Sequence, residues 1–426
     1  MKRKSLTVLV ALVAVALLGA SCGSSSSSSG SGTPKGTTNP ATGTPILVGQ
    51  IAGLTGPVTA LPEAGDSMSA SIEALNDNGG INGHPLKLEQ CDSKGDPNTE
   101  LECAKKMVTE KVVATLGDGT FYSSAQTQKI FSDAGIPRIG ITQADPSEYG
   151  AMTNFDFTGG GVFSLVGLMD ALINKGKTKI SIMIPDSPQS QQTHLLIDPI
   201  AQAQGAEVVN YVLVSSASGD YSQYVTQATQ NGAEGVVVAL GNAQIVQVAQ
   251  AINQLSPNIQ VATGIAGFSL DQLKQLGTFA TAADFAWWEP GIDDTKNFPG
   301  LQEPLDQLTT YMKGASVNTL TSQSLSSWLS VHAFAEVMKT QNLDAPTAAT
   351  VLAAFKAAKD IPMNGIIKPW TPTAYVSAGS LSSIFANVSN PWMYNIKYDG
   401  SSTSTTPDDV FNTFAGLPGT TSTTGS

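Results

Sequence analysis

Residues 46–52 (ILVGQIA), 63–78 (EAGDSMSASIEALNDN) and 86–91 (LKLEQC) read as strand, helix and strand, and this succession decides the fold class. Met68, Ser71, Ile72 and Leu75 recur at helical spacing on one face. The turn-rich NDNGGINGHP stops that helix before the second strand. Asp96-Pro97 supplies an N-cap and a first-turn proline for a helix reaching about Val108. A strand at 112–116, a helix to Ala134 and a strand at 138–142 complete one α/β unit. A second series follows, with helices near 162–174, 192–203, 221–230 and 243–254. They alternate with strands at 179–184, 207–214, 235–240 and 259–264. Short apolar β runs separated by helices imply parallel sheets covered on both faces. The expected fold is α/β, with two Rossmann-like doubly wound lobes. Open α/β sheets bind ligands at the carboxyl ends of their strands, so the cleft between the lobes is the natural site.

The two ends of the chain read differently. Lys2, Arg3 and Lys4 precede a 14-residue apolar run at 6–19, and Gly19-Ala20-Ser21 leads to Cys22. This is the layout of a secretory signal, and it is shorter than the roughly 20 residues that span a bilayer. The segment resembles the lipobox of bacterial lipoproteins, although Leu18 stands four places before Cys22 and Gly19 takes the usual leucine position. That resemblance implies lipidation of Cys22 and anchoring to the outer face of the membrane. An ordinary signal followed by an unrelated cysteine is the competing reading. Residues 22–44 are expected to form a flexible Ser/Gly/Thr tether and residues 416–426 a disordered tail.

Cleavage after Ser21 leaves 19 basic against 34 acidic residues, a net charge of −15. No Lys/Arg run follows residue 4, so nucleic acid is excluded as an expected partner. Cys91 and Cys103 remain once Cys22 is set aside, and in an exported chain they read as a disulfide. Two free thiols or a metal pair are the alternatives. His84, His194 and His332 are scattered without ligand spacing, so no metal and no cofactor is expected. Catalytic motifs are missing too. Gly176-Lys177-Thr178 lacks the glycine of a phosphate loop, because Ala171 stands there. Neither a G-x-S-x-G elbow nor an H-E-x-x-H motif occurs. Trp287-Trp288 reads as packing.

The quoted strands and turns also carry a family resemblance. VGQIAGLTGP (48–57), EALNDNGGINGHPLKLEQ (73–90), DSKGDPN (92–98) and AGIP (134–137) occur in this order. KISIMIP (179–185), GVVVALG (235–241) and SSWLSVHAFAEVMK (326–339) follow. Together they resemble the type I periplasmic binding proteins of the branched-chain amino acid import class. The resemblance implies two lobes joined by a three-crossover hinge, with 45–157 and 289–372 in the first lobe and 158–288 and 373–415 in the second. It implies a ligand held by Thr120, Phe121 and Tyr122, by Thr142, Gln143 and Ala144, and by Gln189, Asn242 and Ile265 of the second lobe. Phe121 falls on the family's main binding serine, Ala144 on its threonine, Gln189 on an aromatic residue and Ile265 on the acid that pairs with the ligand ammonium. These departures point to a solute less charged and more apolar than an amino acid.

The function expected from this resemblance is a monomeric, extracytoplasmic, lipid-anchored solute-binding protein. It would deliver a small molecule, amino acid-like or a less charged and more apolar compound, to an ABC permease and would not be an enzyme. A surface sensor or scaffold of the same fold is the alternative, and a hydrolase with an unrecognised site is a third.

Overall fold

The structure, a computed structural model, describes residues 39–56, 61–186, 190–215, 218–415 and 417. The first sheet is built from β1 (Ile46–Ala52), β2 (Leu86–Asp92), β3 (Thr115–Leu116), β4 (Arg138–Ile139) and β5 (Asn154–Phe155), interleaved with α1 (Pro62–Asp77), α2 (Pro97–Glu110), α3 (Ser124–Ala134) and α4 (Pro146–Tyr149). All of its strands are parallel, in the order β2-β1-β3-β4-β5. Asp96 caps α2 by accepting a hydrogen bond from Thr99 N at 2.8 Å, with Pro97 in the first turn. Gly49 lets α2 sit close on β1, since a Cβ there would lie 2.6 Å from the Met107 sulfur.

The second sheet begins after α5 (Gly160–Ile173). It takes β6 (Lys179–Pro185), β7 (Glu207–Val214), β8 (Gly235–Val238), β9 (Gln260–Gly264) and β10 (Asp284–Trp287). The intervening helices are α6 (His194–Ala203), α7 (Ser222–Ala228), α8 (Asn242–Leu255), α9 (Leu270–Leu276) and α10 (Thr278–Ala282). The chain then forms α11 (Gln302–Tyr311), α12 (Ser322–Met338) and α13 (Ala348–Ala357), which pack on α1 and on one another. It returns as β11 (Trp392–Tyr398) and β12 (Thr403–Asn412), an antiparallel pair that extends the order to β12-β11-β10-β9-β8-β6-β7. Val236, Val237 and Val238 of β8 are all buried, as a parallel strand covered on both faces requires. Helix α12 is buried nearly all round, which suits its place between α1 and the edge of β3. Its serines permit close approach: Ser327 Oγ donates to Ala64 O at 3.2 Å.

The chain crosses between the sheets three times: after β5, after β10 and before β11. These crossovers touch. Asn390 Nδ2 donates to Phe157 O at 2.6 Å, and Ser389 Oγ donates to Asp156 O at 3.1 Å. The Trp288 ring lies against Gly159, where a Cβ would come within 2.3 Å of it.

Most of the expected strands and helices occur within a few residues of their sequence positions. The first-sheet strands β3 and β4 are shorter, with only two residues each in the ladder. Two boundaries differ from expectation. Residues 39–43 of the expected tether are held to the end of α1 and the turn after it, with Asn39 N donating to Asp77 O at 3.0 Å, Ala41 N to Asn76 O at 2.9 Å and Gly43 N to Gly83 O at 2.8 Å. Leu417, in the expected tail, is only 2% exposed and joins the core of the second sheet. Its apolar side chain outweighs the polar composition around it.

Cys91 and Cys103 are bonded, with Cα atoms 5.6 Å apart, joining the end of β2 to α2. Closing a loop of this length stabilises a fold by about 3 kcal/mol, chiefly by restricting the unfolded chain. Cys103→Ser should therefore lower the unfolding free energy by about that amount. Urea denaturation of the variant, beside the parent with and without reductant, measures it; equal midpoints in all three would show that the bond contributes nothing.

Candidate functional site

Each strand of the two parallel series points its carboxyl end toward the crossovers. The turns that leave β3 and β4 use glycines in the left-handed region, Gly117 at φ 60° and Gly140 at φ 66°. Side chains there would meet Met68 and Ser330, which pack directly beneath. The loops beyond these turns rest on a buried polar network. Arg138, with no exposed surface, donates from Nε to Asp118 at 3.1 Å, from one terminal nitrogen to Gln128 at 2.9 Å and Glu148 at 3.2 Å, and from the other to Thr120 at 2.6 Å. Glu148 accepts from Ala144 N at 2.8 Å and Asp145 N at 3.1 Å. Glu100 accepts from Ser123 N at 2.8 Å and Tyr122 N at 3.2 Å. Burial pushes the carboxyls of Glu100 and Glu148 up, and the Arg138 charge pulls both back down.

A cavity of about 790 Å³ opens between these loops and the second sheet. Phe121, Thr142, Gln143, Ala144 and Pro146 line it from the first sheet's side. Val162, Ser164 and Leu165 of α5 face them, with Ile184 and Pro185 at the end of β6. Leu195, Leu196 and Ile197 of α6, Ala239 after β8 and Trp287 at the end of β10 complete the far wall. Among the described lining residues Asp145 is the one ionisable side chain. Its Oδ1 already accepts from Ser147 N and Oγ as the cap of α4.

Of the residues expected from sequence, Phe121, Thr142, Gln143 and Ala144 come together in this cavity. The others lie elsewhere. Thr120 is fully buried and bonded to Arg138 and Glu148. The Tyr122 hydroxyl packs toward Gly95, where a Cβ would lie 3.2 Å from it. Asn242 donates to Gly267 O at the start of α8, and Ile265 is 3% exposed in the core. Gln189 and Cys22 lie outside the described residues. Sequence reasoning passed over the apolar face of α6 and Trp287. Trp287 had one signal, its position at the carboxyl end of a parallel strand; its neighbour Trp288 does pack, donating from Nε1 to Ser164 Oγ at 3.0 Å.

Behind Trp287 the second crossover carries Glu289, fully buried, whose Oε1 accepts from Ser326 Oγ of α12 at 2.7 Å. Burial raises the carboxyls of both Glu289 and Asp156 of the first crossover, and the charge of Glu289 raises that of Asp156 further. Among the described residues no lysine, arginine or histidine pairs with either, and no three metal-ligating side chains converge.

Two lobes, three touching crossovers and a cleft walled from both sides define a hinged small-molecule binding protein. The family model described as periplasmic binding protein matches residues 45–378, and the chain belongs to that family, one of binding proteins rather than enzymes. An amino acid binding protein of Pseudomonas aeruginosa is 27% identical over 175 residues, 39% of this chain and 46% of the relative. The chain spans about half the length of the curated relatives it matches. The fold is that of a fatty acid ABC transporter substrate-binding protein from Thermomonospora curvata, at TM-score 0.72 and 14% identity, covering 91% of this chain and 98% of that one. It is equally that of an ABC transporter solute-binding protein from Rhodopseudomonas palustris in complex with p-hydroxybenzoic acid, at TM-score 0.68 and 15% identity, covering 87% and 97%.

The hinge acids make stability pH-dependent. Burial holds the Glu289 carboxyl up at about 7 against an ordinary 4.5. Between those values the folded state keeps a proton that the unfolded chain has released. Stability from this group is therefore whole below the window and falls as pH rises through it. Glu289→Gln should flatten the decline between pH 5 and 8 by about 3 kcal/mol, leaving the share due to Asp156 and other buried acids. Urea unfolding of both proteins across that range measures it; parallel curves would show that Glu289 does not hold its proton.

Proposed function

We propose that this chain is the extracytoplasmic solute-binding component of an ABC importer, tethered to the membrane through a lipidated Cys22. The observation that carries this reading is the cleft itself. It lies at the carboxyl ends of the parallel strands of both sheets and is walled by both lobes, so hinge closure on a solute changes the outer surface that a permease reads. Family membership and the relatives named for amino acid binding support the role. The small-residue site before Cys22 and the Ser/Gly run after it support the anchor. Cys22→Ser should move the protein from the membrane fraction to the soluble extracytoplasmic fraction. Retention of the variant in membranes would remove the anchor from this account.

The solute is less charged than a free amino acid. An α-ammonium enclosed in this cleft would face one carboxylate, Asp145, already engaged as a helix cap, and desolvating it costs several kcal/mol. Burying the leucine side chain returns only about 1.5–3 kcal/mol. Free leucine, isoleucine and valine should therefore give little or no thermal shift. A large stabilisation by any of the three at micromolar concentration would restore the amino acid reading.

A further inference from the structure

The cleft's walls narrow the solute further, on the reading that the cleft is the solute site. The first consideration is charge. No lysine, arginine or histidine is among the described residues that line the cavity. Arg138 lies beneath the loops with its donors committed to Asp118, Gln128, Glu148 and Thr120. The backbone N–H groups of 122, 123, 144 and 145, which loops of this kind can offer to an anion, are turned inward to Glu100 and Glu148. The undescribed stretches 57–60, 187–189 and 216–217 contain no ionisable residue. A carboxylate entering this cleft would lose its hydration and gain no cation, with the first-lobe loop N–H groups already engaged, and an ammonium would meet only Asp145, already engaged as a helix cap.

The second consideration is the grading of the apolar wall. Ile197 and Ile184 are 0% and 4% exposed, whereas Phe121 and Leu195, on opposite lobes, are 40% and 61% exposed. On the second-lobe wall apolar surface thus runs from the buried Ile197 and Ile184 to the exposed Leu195, with Phe121 exposed on the facing lobe and Asp145 the one ionisable side chain among the described lining residues. Exposed large hydrophobic side chains are costly to leave in water, and closure of the cleft on an apolar molecule would cover both. Between these walls stand neutral polar groups, the Thr142 hydroxyl and Gln143, whose Oε1 is buried without a partner among the described residues.

We propose that the cleft takes a neutral, elongated apolar molecule, an alkyl or aryl chain with one uncharged hydrogen-bonding group, whose apolar length passes between Phe121 and Leu195. The probes are 1-alkanols of four to ten carbons, with the carboxylates and primary amines of the same lengths. They are titrated by calorimetry into the full chain carrying Cys22→Ser, which keeps lipid out of the measurement. Affinity for the alcohols should rise about fourfold per methylene until the cavity is full. Each alcohol should bind at least tenfold more tightly than its carboxylate or amine. Phe121→Ser and Leu195→Ser, both at exposed positions, should weaken the longest alcohol severalfold and spare the shortest. Phe121→Arg should shift the preference toward the carboxylate. Carboxylates that bind the parent protein as tightly as alcohols, or affinities flat in chain length, overturn the proposal while the cleft substitutions still act, and the cleft then remains the site. Binding that none of the three substitutions alters overturns the cleft reading itself, and absence of binding by every alcohol overturns the neutral, elongated class.

Discussion

The first-lobe wall of the cleft depends on one buried guanidinium. Arg138 is the residue through which the loop after β3, the loop after β4 and the helix α3 are held together, by bonds to Asp118, Thr120, Glu148 and Gln128. Each carboxylate extends the reach of that charge to backbone: Asp118 to Ile51 N at 2.9 Å, Glu148 to the N–H groups at 144 and 145. A buried cation is tolerable only because it is paired and fully bonded. Removing one partner leaves an uncompensated charge, typically a loss of 3–5 kcal/mol. The network is therefore a weak source of net stability and a strong constraint on loop shape. It ties three turns of chain to one geometry.

The hinge follows a different logic. Its close approach is steric, with the Trp288 ring over Gly159, and its hydrogen bonds run from Ser389 and Asn390 to the backbone of the first crossover. Its acids, Asp156 and Glu289, are raised by burial and pair with no cation among the described residues. A hinge without an ion pair can bend without separating one in low dielectric, a step that would cost far more than rotating a few backbone dihedrals. Trp287 and Glu289 stand two residues apart, one lining the cleft and the other bonded to α12 of the opposite lobe, so the second crossover couples the solute wall to the first lobe directly.

Much of this architecture was legible in the residues. Strands β1 and β6 to β9 announced themselves as short runs with β-branched residues, β2 by its Leu-x-Leu alternation after the turn-rich NDNGGINGHP, and Asp96-Pro97 marked the start of α2, because these signals are local. Strands β5, β10, β11 and β12 were not marked in the same way. Two-residue β5 is a strand only through its neighbour β4, and the β11–β12 hairpin joins the sheet by pairing β11 with β10 more than a hundred positions earlier. The cleft was half legible. Position at a strand's carboxyl end located Phe121 and Thr142–Ala144, yet position alone does not aim a side chain. Thr120 turned inward to Arg138, Asn242 to Gly267 and Ile265 into the core, each satisfied by a partner that sequence does not display.

The charge of the cleft follows from the charge of its support. Proteins of this fold at about 15% identity are named for ligands as different as a fatty acid and p-hydroxybenzoic acid, so the fold supplies a hinged cleft and the wall residues supply the chemistry. In this chain the buried ionisable groups beneath the first-lobe loops, Arg138, Asp118, Glu148 and Glu100, satisfy one another or the loop backbone, while Asp145 at the cleft is taken up as the cap of α4. Loops built this way have spent their anion-binding N–H groups on their own carboxylates. What they present to the cleft is Phe121, Thr142, Ala144 and Pro146, with Asp145 as the one ionisable side chain, opposite the aliphatic face of α6. The scaffold that fixes the shape of the wall is thus the same scaffold that takes up the loop N–H groups and the Arg138 charge, leaving the solute to be read mainly by apolar and neutral polar side chains on the proposed reading of the cleft.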